Sequence, residues 1–166
     1  MGTDIYTRRV MVLAVIVSSL AIVARGAGKP ANLLPNSSFE NVSDDKIASG
    51  WKTQAWSGKD RVLWAIPHSG RTGKRCVTIR SDKGTDAAWI AMVNLEPNTR
   101  YELSGWIKTS EVRGAKGALL NVQALKGSQT PAVTGATEWT RVSKVFTTNN
   151  KTRFQINCLF GGWGRS

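Results

Sequence analysis

Two short stretches of the chain place side-chain amides on a regular spacing. In "GALLNVQAL" (117–125), Leu120 and Val122 fall on one side of an extended strand, and Leu119, Asn121 and Gln123 on the other. In "RFQINCLF" (153–160), Phe154, Ile156, Cys158 and Phe160 share one side, with Gln155 and Asn157 opposite. In "RYELSGWIKTS" (100–110), Tyr101, Leu103 and Ile107 form the apolar side, and Glu102, Ser104, Trp106 and Lys108 face away. A side-chain amide offers donors and an acceptor without net charge, which matches neighbouring hydroxyls. An indole can cover the C–H face of a ring while the amides fix its orientation. These residue types suit binding of a polyhydroxylated ligand. Trp106, Asn121, Gln123, Gln155 and Asn157 are the first candidates. Trp56 and Trp64, flanking the polar loop "SGKD" (57–60), are the second. Of the other tryptophans, Trp51, Trp89 and Trp139 read as core, and Trp163 as packing near the glycine-rich exit "GGWG".

Groups suited to bond-breaking are scarce. His68, the one histidine, lies in the turn "IPHSGRTG" with no G-x-S-x-G nucleophile elbow. Asp44 and Asp45 are adjacent in a loop, and Asp82 and Asp86 flank Gly84, so neither pair reads as a buried acid and base. One His and two Cys exclude a two-His zinc motif, a His cluster and a Cys-rich zinc site. Cys76 and Cys158 either form a disulfide, contributing about 4 kcal/mol if unstrained, or pack as separate small hydrophobes. Asn36, Asn41 and Asn150 fit N-x-[ST], which matters only where the host glycosylates exported proteins.

The elements that must carry the candidates are strands. Short β-prone runs at 61–67, 75–81, 88–95, 100–110, 117–125, 138–148 and 153–160 are separated by Gly, Pro, Asn, Asp and Ser, with no sustained helical period. The pattern predicts an all-β, two-sheet antiparallel sandwich. Arg8 and Arg9 precede an apolar run from Val10 to Ala24, followed by Arg25, Gly26, Ala27 and Gly28. This reads as an export signal spanning 1–26, cut after Gly26, with a domain over 27–166. The alternative is an uncleaved anchor, though the run is short for a membrane span of roughly 20 residues. The expected location is secreted, periplasmic or cell-surface, with no stable membrane insertion after cleavage.

The chain of 166 residues carries 23 Lys+Arg against 11 Asp+Glu, a formal charge of +12. Removal of residues 1–26 takes away three basic residues and one acidic residue, leaving +10. Apart from Arg71, Lys74, Arg75, Arg80 and Lys83, the basic residues are scattered singly. With export, that argues against a nucleic-acid partner and suggests a solvated surface or a preference for acidic glycans.

The ordered set "NLLPNSSFE" (32–40), "GW" (50–51), "SGRTGKRCVTI" (69–79), "LEPNTRYELSGWIKT" (95–109) and "EWTRVSKVFTT" (138–148) resembles the CenC-type carbohydrate-binding modules attached to many glycoside hydrolases. The resemblance spans nearly all of 32–166. It implies a galactose-binding-like jelly roll, a non-catalytic role on polysaccharide or oligosaccharide, and often a structural calcium near the first strand. Glu40, in "NSSFE", is the position it marks as a calcium ligand. Relatives of this kind continue past the glycine-rich turn into a closing strand that supplies another ligand. This sequence stops at Ser166, so the sandwich is expected to lack its last strand, with an unpaired edge left open. Two alternatives remain: a truncated piece of a glycoside hydrolase, and a cell-surface adhesion module binding protein or peptide.

Overall fold

The computed structural model describes residues 13–24, 31–43, 46–113 and 116–161. The loop aspartates Asp44 and Asp45, the expected cleavage position Gly26 and Trp163 lie outside the described residues. The described residues form eleven strands: β1 (Leu13–Ala24), β2 (Val42–Ser43), β3 (Ile47–Ala48), β4 (Trp51–Ser57), β5 (Leu63–Ala65), β6 (Val77–Ser81), β7 (Asp86–Asn94), β8 (Arg100–Val112), β9 (Ala118–Val122), β10 (Gly135–Thr147) and β11 (Arg153–Phe160). They form a five-stranded sheet in the order β10-β8-β1-β6-β5, a four-stranded sheet in the order β4-β7-β11-β9, and the small pair β2-β3. Every registered pairing is antiparallel. The protein is the two-sheet β-sandwich that the alternation predicts.

The apolar sides meet between the sheets. Val77 and Ile79 of β6, Leu103 and Ile107 of β8, Trp89 and Ala91 of β7, Leu120 of β9 and Ile156 and Cys158 of β11 are all buried. Aromatic contacts extend this core: Phe39 and Trp51 have ring centroids 5.0 Å apart, and Tyr101 and Phe146 stack at 6.0 Å. Buried indoles need a partner for their N–H. Trp51 Nε1 donates to Pro35 O at 3.0 Å, and Trp89 Nε1 donates across the core to Thr78 O at 3.0 Å. Trp51 and Trp89 are therefore core, as the sequence suggests, while Trp139 is only half-buried.

Both cysteines are free and buried, which settles the choice between disulfide and thiols. Cys158 sits in the core opposite Trp89 and Leu120, whereas Cys76 lies beside Ser69 Oγ at 3.5 Å. Burial pushes both thiols above their ordinary range, with Ser69 partly offsetting the effect at Cys76.

One strand lies outside the β-prone runs of the sequence. Leu13–Ala24, the run that reads as an export signal, is a strand in the middle of the five-stranded sheet. Val17 and Ile22 point into the core at 2% and 0% exposure. Burying side chains of this size contributes roughly 1.5–3 kcal/mol each. Among the described residues, this N-terminal segment fills the position between β8 and β6.

Candidate functional site

The four candidate amides come together on the outer face of the four-stranded sheet. Asn157 of β11 lies directly opposite Asn121 of β9, and Gln123 N donates to Gln155 O at 2.8 Å. Because Leu120, Val122, Ile156 and Cys158 point inward, pleating sends Asn121, Gln123, Gln155 and Asn157 outward together. Asn157 is the hub. Its Nδ2 donates to Asn121 Oδ1 at 2.8 Å and to Gln123 Oε1 at 2.7 Å, and its Oδ1 accepts from Gln155 Nε2 at 2.8 Å.

This wiring separates two roles. Asn157 is 0% exposed, and its hydrogens and carbonyl are occupied by its neighbours. It orients the other three amides. The Nδ2 of Asn121, the Nε2 of Gln123 and the Oε1 of Gln155 have no partner among the described residues, so donors and an acceptor remain for a ligand. Holding the amides through a buried hub fixes their orientation before a ligand arrives, which lowers the ordering cost of binding.

Beside the amides the same face turns apolar. Gln54, Ala88, Leu159 and Leu119 form one row across the four strands, and Lys52, Ile90, Asn157 and Asn121 form the next. Ala88, Leu119 and Leu159 cluster with Ile90, and Met92 is 43% exposed one row beyond. Sequence reasoning placed Leu119 on this side but missed the contributions of β4 and β7. The absent signal was the sheet order, which puts β7 next to β11.

Trp56 belongs to this sheet. It is the extra residue of a bulge in β4, where Ala55 pairs with Ala87 but Ser57 pairs with Asp86. Its indole is 39% exposed and has no ring or cation partner among the described residues. Two strand steps and about three residues separate it from Asn157, or roughly 14 Å at ordinary sheet spacings.

Trp106 and Trp64 are elsewhere. Trp106 lies on β8, in the five-stranded sheet, so its outer face points away from the amides. The Arg71 guanidinium carbon sits 3.5 Å from its ring centroid and covers one face. The expectation that Trp106 shares a surface with Asn121, Gln123, Gln155 and Asn157 is therefore corrected. Alternation fixes the side of a strand but not the sheet to which the strand belongs. Trp64 of β5 packs edge-on against Trp89 at 5.7 Å and 90°. It lines a cleft of ≈ 590 Å³ with Lys46, Ile47, Thr53, Ala65, Ile66 and Pro67, apart from the amide face.

Glu40 has a structural task. Its Oε1 accepts the Arg75 N–H at 2.9 Å, and its carboxylate lies so close to Gly73 that a Cβ there would collide with it. Glu40 thereby pins the 69–75 turn that carries Arg71 over Trp106. Calcium takes six to eight oxygen ligands. One carboxylate with an oxygen already engaged does not fit that demand. Among the described residues, no three His, Cys, Asp or Glu side chains group as a metal site. His68 is exposed and stands outside any such group.

A β-sandwich with preorganised amides on one sheet face has the build of a ligand-binding module. The family comparison makes the class specific: the carbohydrate binding domain family model matches residues 31–158, and the chain belongs to that family. Its members are binding modules, so the chain is a carbohydrate-binding domain. A search of curated proteins returns no match.

Proposed function

We propose that this domain is a non-catalytic module of the CenC type that binds glycan chains on the outer face of its four-stranded sheet. Asn121, Gln123 and Gln155 meet sugar hydroxyls, Asn157 holds them in place, and Trp56 stacks on a ring toward the β4 edge. The observation that carries this reading is the amide network centred on the buried Asn157. Trp106 is no longer part of the proposed site.

Lys52 stands in the same cross-strand row as Asn157, and exposed Arg153 begins β11. These cations support a preference for uronic-acid or sulfated glycans over neutral ones. The basic N-terminal pair and apolar run support export to the periplasm, cell surface or medium. Attachment to a glycoside hydrolase, which this domain would hold on polymer, is part of the same proposal. No helix among the described residues is long and apolar enough to cross a membrane.

The test is a glycan array followed by calorimetric titration of the best hit at two salt concentrations. Saturable binding, weakened at least tenfold by Gln123→Ala, is expected. For an acidic glycan, affinity should also fall with salt more steeply than for a neutral one. An affinity unmoved by Gln123→Ala would overturn the assignment of the face.

A further inference from the structure

The five-stranded sheet depends on a segment that the sequence marks for removal. β1 pairs with β6 from Leu13↔Ser81 to Val17↔Val77, and with β8 from Ala14↔Ser110 to Ala24↔Tyr101, with a bulge between Ser18 and Ala21. β6 and β8 do not pair with each other. Each therefore faces β1 with a row of backbone donors and acceptors that need a strand between them. Without β1 the two would stand about two strand spacings apart, roughly 10 Å, too far to bond directly.

The inner side of the gap is equally specific. Val17 and Ile22 are buried within the same core cluster as Ile79, Leu103 and Ile107. Chain leaving β1 is also secured to it. Leu33 N donates to Ile22 O at 2.9 Å, and Asn32 Oδ1 accepts from both Ile22 N at 3.1 Å and Leu34 N at 3.2 Å. These contacts fix where β1 ends and which backbone groups it spends on Asn32 and Leu33.

We propose that the gap between β6 and β8 is a strand-acceptor slot, filled in the folded full-length chain by its own Leu13–Ala24. The ligand class is an extended apolar segment running antiparallel to both neighbours, as in β-strand addition. The same residues then have two uses at different times. In an unfolded precursor they are an apolar leader, and in a chain that folds with them attached they are a central strand. A cut after Gly26 withdraws a core strand rather than a loose tail, and leaves the slot open to the same segment added as a free peptide. The slot lies in the sheet opposite the amide face, so glycan binding and strand acceptance can fail independently.

The test begins with the full-length chain carrying Val23→Cys and Glu102→Cys, positions directly opposed in the register. Mild oxidation should link positions 23 and 102, identified by peptide mass. The misregistered pair Val23→Cys and Lys108→Cys should stay unlinked. Hydrogen exchange of the unmodified full-length chain should protect the amides of 14–24 as strongly as those of 101–110. A chain lacking 1–26 should lose at least 100-fold protection at 77–81 and 101–110. A peptide of residues 10–26 should restore it, and the same peptide with Ile22→Asp should not. Unprotected amides at 14–24 with no 23–102 link would overturn the proposal. So would unchanged protection at 77–81 in the chain lacking 1–26. If that shorter chain does not fold, the cross-link and full-length exchange decide alone.

Discussion

The Arg71 guanidinium lies over the Trp106 ring, with its carbon 3.5 Å from the centroid. That contact removes one indole face from ligand binding and gives Trp106 a different task, docking the 69–75 turn onto the outer side of β8. The turn is held from its other end by Glu40 through the Arg75 N–H. Nearby, Glu102 pairs with Arg141 at 3.2 Å and Lys108 with Glu138 at 2.8 Å. This surface of the five-stranded sheet is already occupied by its own cation–π contact and ion pairs.

Trp106→Ala should therefore leave glycan affinity within about twofold of wild type. It should also cost stability, because an exposed cation–π contact contributes about 0.5–1 kcal/mol and the half-buried indole adds packing. Calorimetric titration and thermal melts, run side by side, measure both. A tenfold loss of affinity with an unchanged melt would return Trp106 to the binding face.

Trp56→Ala should do the reverse. Its ring is partly exposed and makes no ring contact among the described residues, so the melt should hardly move. Glycan affinity should fall about tenfold or more, since stacking on an aromatic ring contributes around 1–3 kcal/mol where a flat ligand is bound. Unchanged affinity in this variant would confine the site to β9 and β11.

Asn157→Ala and Gln123→Ala should separate orientation from contact. Removing the hub leaves Gln155 Nε2, Asn121 Oδ1 and Gln123 Oε1 without their partner, at a cost of about 1–3 kcal/mol in urea unfolding. Binding should fall as well, because the three amides lose their fixed directions. Gln123→Ala should weaken binding with a smaller effect on stability. Equal destabilisation by the two substitutions would argue against a hub.

Glu40→Ala should loosen the 69–75 turn and lower stability by about 1–3 kcal/mol through loss of the hydrogen bond from the Arg75 N–H to the carboxylate. A chelator should leave the wild-type melting temperature where it was. A rise of several degrees on adding calcium would show that oxygen ligands beyond the described residues complete a site at Glu40.

The thiols carry a pH signature. In both cysteines the folded pKa lies above the unfolded one, so their contribution to stability is intact below the unfolded pKa, near 9. Above that pH the unfolded chain loses protons that the folded chain retains, and stability falls. Urea midpoints measured from pH 8 to 10.5 should decline, and less steeply in Cys158→Ala. A thiol reagent should find both cysteines only after unfolding.

The sequence by itself determined the fold class and the side of each strand on which a residue lies. Leu120 and Val122 against Asn121 and Gln123, and Ile156 and Cys158 against Gln155 and Asn157, are consequences of pleating and need no tertiary information. It also carried the family's ordered motifs. Tertiary structure decided which strands are neighbours. β9 joins β11, so their amides merge into one network, while β8 joins the other sheet and takes Trp106 to the far side of the molecule. Pairing between strands depends on contacts remote in sequence, and alternation carries no record of them. The same limit applies to Leu13–Ala24. A short apolar run satisfies a membrane, an export channel or a sheet interior through the same hydrophobicity. Only the open backbone edges of β6 and β8, brought to either side of it, make that run a strand.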